Sequence, residues 1–241
     1  MGDPIGPSEA VDPVTGVPAV TAEQMREVDR VMVEDLGIDL VRMTENAGRG
    51  LADLAMRLYP TARAITVLAG PGGNGAGGLV AARHLTNRGR SVRVTLGAGR
   101  ARLDAVPASQ AEVLRRMGVH LDDDPHDSDL VVDALLGYSL HGDPRGRVAE
   151  LIEWAGVGDA PVLALDTPSG LDVTTGDAAT PCVSADATMT VALPKTGLLR
   201  APEVVGDLFV ADISVPPSVF ARLGIDVPAW LFEREQVVPL A

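Results

Sequence analysis

Residues 65–85 read I-T-V-L-A-G-P-G-G-N-G-A-G-G-L-V-A-A-R-H-L, an apolar run that passes through six glycines in nine residues, 70–78, into a second apolar stretch. A short β-branched run bounded by glycine reads as a strand buried on both faces, and the stretch 78–87 as the helix it feeds. Strand, glycine-rich turn and helix open a parallel βαβ unit. The alternation continues downstream, with strands at 92–96, 130–135 and 162–165, helices at 107–117 and 148–155, and later strands at 187–193 and 208–213. It predicts an α/β fold, a three-layer αβα sandwich around a mostly parallel central sheet. In such sheets ligands sit at the carboxyl ends of strands, beside the point where strand order reverses.

Upstream, T-A-E-Q at 21–24 has the spacing of a capping box and starts a helix that Gly37 ends. A second helix, 40–59, carries Met43, Ala47, Leu51 and Leu54 on one stripe and stops at Pro60. Residues 1–20 contain Asp3, Glu9, Asp12 and four prolines but neither a basic start nor an apolar core, so they read as a mobile tail and not a signal peptide. Residues 21–241 form the single expected domain, and Asp122-Asp123-Asp124-Pro125 the one acidic, solvated turn.

The 241-residue chain is 46% hydrophobic and 22% charged, an ordinary globular balance that excludes general disorder. Thirty-three acids against 20 bases give a net charge of -13, a field that repels nucleic acid in the absence of a basic patch, and no such patch is present. No apolar run approaches the roughly 20 residues that cross a bilayer, so a soluble protein is expected. The single cysteine, Cys182, excludes an internal disulfide framework and fits a reducing, cytoplasmic setting.

Four strand ends carry candidate chemistry. The glycines of 70–78 let backbone approach a ligand, and the helix start that follows offers amide hydrogens to an anion such as a phosphate. Gly70, Gly72 and Gly75 match G-x-G-x-x-G, but the acid required after the second strand is replaced by Leu96-Gly97-Ala98, which argues against an ordinary NAD dehydrogenase. No Gly-Lys-Ser/Thr follows, so this is not a P-loop. Asp133 interrupts an apolar strand and must be paired, hydrogen-bonded or bound to a cation. Asp166 ends another strand before the Pro168-Ser169-Gly170 turn, and Lys195 stands just past a third, as a solvated side chain or a ligand contact.

Taken in order, R-M-T-E-N-A-G-R-G (42–50), G-P-G-G-N-G-A-G-G-L-V-A-A-R-H-L (70–85), V-D-A-L-L-G (132–137), D-T-P-S-G-L-D (166–172), L-P-K-T-G (193–197) and G-D-L-F-V-A-D-I-S-V-P (206–216) resemble the NAD(P)HX epimerase family, the YjeF N-terminal domain. The resemblance implies a Rossmann-like, dimeric enzyme that interconverts the R and S epimers of hydrated NADH and NADPH as a metabolite-repair step. It implies that Gly73, Asn74, Gly75, Ala76 and Gly77, then Gly137, Tyr138, Ser139, Leu140, His141, Gly142 and Asp143, with Asp166 and Lys195, hold the dinucleotide. Asp166 would be catalytic, and Asn74, Asp133 and Ser169 would bind a potassium ion as hard oxygen donors. The family's glycine loop usually reads G-P-G-N-N-G-G-D-G; here Gly73, Ala76 and Gly77 replace an asparagine, a glycine and the aspartate. That loss keeps open a diverged isomerase or cyclase acting on another metabolite, or a noncatalytic nucleotide-binding protein. An aspartate restored at Gly77 would meet a cost if the position requires a positive φ, which only glycine tolerates cheaply.

Overall fold

The computed structural model describes residues 12, 16–140 and 142–240. Its centre is one eight-stranded sheet: β1 (Ala64–Ala69), β2 (Ser91–Leu96), β3 (His120–Asp122), β4 (Leu130–Ala134), β5 (Val162–Leu165), β6 (Ala187–Val191), β7 (Asp207–Ala211) and β8 (Val237–Pro239). The spatial order is β3-β2-β1-β4-β5-β6-β7-β8. All pairings are parallel except β7 with β8. Strand order therefore reverses at β1, between β2 and β4, which is where a crevice opens in this architecture.

Among the described residues, seven α-helices flank the sheet: α1 (Ala22–Arg30), α2 (Leu40–Leu58), α3 (Gly73–Asn87), α4 (Ala105–Arg116), α5 (Arg147–Ala155), α6 (Pro202–Val205) and α7 (Pro217–Arg222). Side-chain alternation along the strands assigns the two faces. Ile65, Val67 and Ala69 of β1 and Leu130 and Val132 of β4 pack with Leu51, Leu79 and Leu114 of α2, α3 and α4. Leu68 and Val131 point the other way, onto Leu151 and Ile152 of α5. A third cluster joins Met25 and Val28 of α1 to Leu208 and Val210 of β7. This is the expected three-layer sandwich.

The capping box is formed as read: Gln24 N donates to Thr21 Oγ1 at 3.2 Å, and Thr21 N to Gln24 Oε1 at 2.8 Å. Four differences from expectation bear on the site and the sheet. First, α3 starts at Gly73, so most of the glycine run is helix and not loop. Gly75 and Gly70 are needed for contact: a Cβ on Gly75 would lie 1.9 Å from Gly70 O, and one on Gly70 1.8 Å from Leu135 O. Second, β3 and β8, three residues each, extend the two edges. Third, β6 ends at Val191 because Ala192 turns to φ 65. Fourth, order begins before Thr21: Val17, Ala19 and Val20 are fully buried, Val20 N donates to Pro194 O at 2.8 Å, and Thr196 N to Val20 O at 2.9 Å. The tail expectation thus fails at 17–20, while 1–11 and 13–15 lie outside the described residues.

Candidate active site

A cavity of about 410 Å³ lies at the carboxyl ends of β1, β4 and β5, with α1 and α2 along its side. Gly72, Gly73 and Asn74 at the start of α3 form one wall, and Leu136, Gly137, Tyr138 and Ser139 after β4 another. The first amides of α3 have no partner within the helix, and they carry the positive end of its dipole to this wall.

Asp166 is the polar centre. It sits directly after β5 at φ 67, a left-handed conformation that aspartate tolerates better than most residues, and its amide donates to Met189 O at 2.7 Å. One carboxylate oxygen accepts the Tyr138 amide at 3.2 Å. The other accepts Lys195 Nζ. Lys195 is fully buried, and its remaining two hydrogens reach Thr190 Oγ1 and Val191 O, both at 3.0 Å. All three ammonium donors are therefore satisfied, which is the condition for keeping a lysine inside a protein.

Asp133, on β4, is fully buried as well. Its oxygens accept the Ser169 hydroxyl at 2.7 Å, the Ser169 amide at 2.8 Å and the Leu135 amide at 3.2 Å. Burial nonetheless pushes its carboxyl above the usual range, those hydrogen bonds only opposing the shift. It has no basic partner among the described residues. Asn74 joins the same turn through Leu136 O, which its amide reaches at 2.8 Å, and Leu136 N donates to Ser169 Oγ at 2.9 Å. Leu136 thus links Asn74 to Ser169, and Ser169 bonds directly to Asp133. Burial, reinforced by Asp133, pushes the Cys182 thiol up to about 11, which leaves it a poor nucleophile.

The other sequence candidates divide. Gly73, Asn74, Gly77, Gly137, Tyr138 and Ser139 line the cavity. Gly75 and Ala76 are buried in α3 and do not line it, and neither do Leu140, Gly142 and Asp143. Asp143 instead accepts the Thr180 amide at 3.1 Å. Lys195 reaches the cavity only through Asp166. His141 lies outside the described residues. Gly77 does not have a positive φ; it is helical, and what a side chain there would meet is Leu165 Cδ2, at 2.7 Å from its Cβ.

Sequence reasoning missed Asp29. It sits on α1, lines the cavity, and accepts a hydrogen bond from the Tyr138 hydroxyl. A signal was available: Met25, Val28 and Met32 are an apolar stripe at helical spacing, and Asp29 interrupts it.

The family model described as YjeF-related protein N-terminus matches residues 41–197. A protein of Dehalogenimonas lykanthroporepellens named NAD(P)H-hydrate epimerase is 44% identical, the match covering 86% of each chain. A protein of Hyperthermus butylicus named bifunctional NAD(P)H-hydrate repair enzyme Nnr is 38% identical over 88% of this chain and 41% of its own length. In structure, a yeast protein titled ynu0 superposes with a TM-score of 0.81 over 93% of this chain and 100% of that one, at 22% identity. With the family model covering the strand ends that build the cavity, the chain belongs to the family of YjeF-related N-terminal domains.

Proposed function

We propose that this chain is an NAD(P)H-hydrate epimerase, an isomerase that interconverts the R and S forms of hydrated NADH and NADPH. The observation that carries the reading is Asp166: a carboxylate locked by a fully buried lysine, with its free side on a cavity at the strand-order reversal. Support comes from relatives named NAD(P)H-hydrate epimerase that are 33–44% identical over 80–88% of the chain.

The hydroxyl-bearing ring carbon of the substrate is a hemiaminal. Protonation of its hydroxyl releases water as the ring nitrogen lone pair forms an iminium, and water returning to the other face gives up its proton. No electrons leave the system. Asp166 takes part in these proton transfers, Lys195 holds its orientation, and the open amides of α3 at Gly73 and Asn74 receive the diphosphate. Gly137, Tyr138 and Ser139 supply the second wall.

The family resemblance also implies potassium. Asn74, Asp133 and Ser169 fit such an ion in donor chemistry, since all three offer oxygen and Asp133 is a buried carboxylate without a basic partner among the described residues. A bound monovalent cation would supply the missing positive charge and tie α3, the β4 turn and the β5 turn together. Wild-type protein is expected to melt at higher temperature in potassium than in tetramethylammonium salt, a difference that Asp133→Ala removes. Equal melting temperatures in the two salts for the wild type would count against the ion.

A homodimer and a cytoplasmic location belong to the same reading, on the family resemblance and the single cysteine. Among the described residues no helix is long and apolar enough to cross a membrane. One observation favours a second reading, an isomerase of another metabolite: where the family usually has an aspartate, Gly77 leaves the space to the apolar Leu165. Following the ratio of separated S and R hydrates with purified protein distinguishes the two.

A further inference from the structure

We infer that Asp29, held by the Tyr138 hydroxyl, is a second proton-transferring carboxyl of the cavity and works with Asp166 on the hydrated ring. This rests on the epimerase reading and names a residue that reading does not use.

Both carboxyl groups line one cavity and are tied to a single residue. The Tyr138 amide donates to Asp166, and its hydroxyl, at the far end of the same side chain, donates to Asp29. The two groups are therefore held from the two ends of one residue. Inversion at a ring carbon makes that arrangement useful. The hydroxyl departs from one face and water enters from the other, so one group must give a proton while a second takes one, as paired carboxyl groups do in glycoside hydrolysis. Asp29 donates its proton to the departing hydroxyl, which leaves as water, and Asp166 accepts the proton of the incoming water. In the reverse direction the roles exchange.

The state of Asp29 suits a donor. Burial raises its carboxyl above the usual range, against the hydrogen bond from Tyr138 and the charge of Lys195, while the charge of Asp166 adds to the rise. Tyr138 itself is pushed well above the ordinary phenol range by burial and by Asp29, with Arg26 opposing, so its hydroxyl remains a proton donor. The groups that face the pair are thus Asp166 from β5, Lys195 from beyond β6 and Arg26 from α1. With Gly77 and Leu165 forming an apolar patch of the wall, Asp29 supplies an acid from the opposite end of the chain order.

The test is the pH profile of kcat on separated S and R hydrates for wild type, Asp29→Asn and Tyr138→Phe, with melting temperature as the folding control. A general acid must carry its proton, so with the epimer whose hydroxyl Asp29 protonates the wild-type rate should fall as pH rises past the Asp29 pKa. Asp29→Asn should lower kcat by about 10²- to 10⁴-fold with KM changed only a few-fold, and should lose that falling limb. Tyr138→Phe removes a donor that stabilises the charged carboxylate, so its falling limb should move to higher pH. A folded Asp29→Asn that keeps the wild-type limb overturns the inference, whatever its rate. Should Asp29→Asn fail to fold, Tyr138→Phe decides, and an unmoved limb overturns it. An inactive wild type overturns the epimerase reading and the role of Asp29 with it, whereas an active wild type with either of the preceding results overturns the role of Asp29 alone.

Discussion

Asp166→Asn should slow epimerisation by about 10²- to 10⁴-fold, the usual contribution of a group that moves a proton in the transition state. The substitution isolates chemistry from backbone. Asparagine accepts the left-handed conformation at φ 67 at least as well as aspartate, so the turn into Pro168 and Ser169 should survive. What is lost is charge. Lys195, at 0% exposure, would face a neutral amide, and removing one partner of a buried ion pair costs about 3–5 kcal/mol. A fall in melting temperature should therefore accompany the loss of rate. Lys195→Met, which leaves Asp166 as the unpaired member, should destabilise too, so comparing the two variants by calorimetry and by rate separates the ion pair from the proton transfer. An Asp166→Asn variant of wild-type rate would remove Asp166 from the mechanism.

Gly75→Ala should destabilise the fold by roughly 3 kcal/mol, at the upper end of overpacking costs. A Cβ at this position would stand 1.9 Å from the Gly70 carbonyl oxygen, backbone against backbone, with no flexible side chain to give way. Gly70 cannot retreat, because its own Cα side faces Leu135 O. For a chain of this size the expected fall in melting temperature is about 6–12 °C. Gly73→Ala is the matched comparison, two residues away in the same helix. Its Cβ would meet only the methyl groups of Leu40, at 3.7 and 3.9 Å, so that variant should be neutral or slightly more stable. If both variants melt like the wild type, α3 is not pressed against the β1 and β4 ends as described.

The contrast between Gly73 and Gly75 also shows why the glycine run was only partly legible. In sequence, six glycines signal backbone that approaches a ligand; in the fold, Gly70, Gly75 and Gly78 spend that freedom on protein contacts, and Gly72 and Gly73 face the cavity. Low helix propensity hid the first turns of α3, which tertiary contact imposes. Asp133 and Asp166 were readable because a carboxylate breaking or ending an apolar strand has few ways to exist. Their pairings were not readable from spacing, and only the family resemblance grouped these residues: Ser169 lies 36 residues beyond Asp133, and Lys195 lies 29 beyond Asp166, so the pairs exist only after the sheet forms. The same distance in chain hid the burial of Val17 and Val20, which depends on the segment around Lys195. The edge strands β3 and β8 are too short to show a period, and Pro239 in β8 reads locally as a break though an edge strand accommodates it.

Purified wild-type protein and Asp166→Asn, each given pure R hydrate of NADH in potassium buffer, provide the most direct measurement. The wild type should bring the R and S forms to their equilibrium ratio well ahead of buffer alone, and Asp166→Asn should follow buffer closely. Folded wild-type protein that leaves the ratio changing no faster than buffer does would contradict the epimerase assignment, while the α/β fold and its family membership would stand.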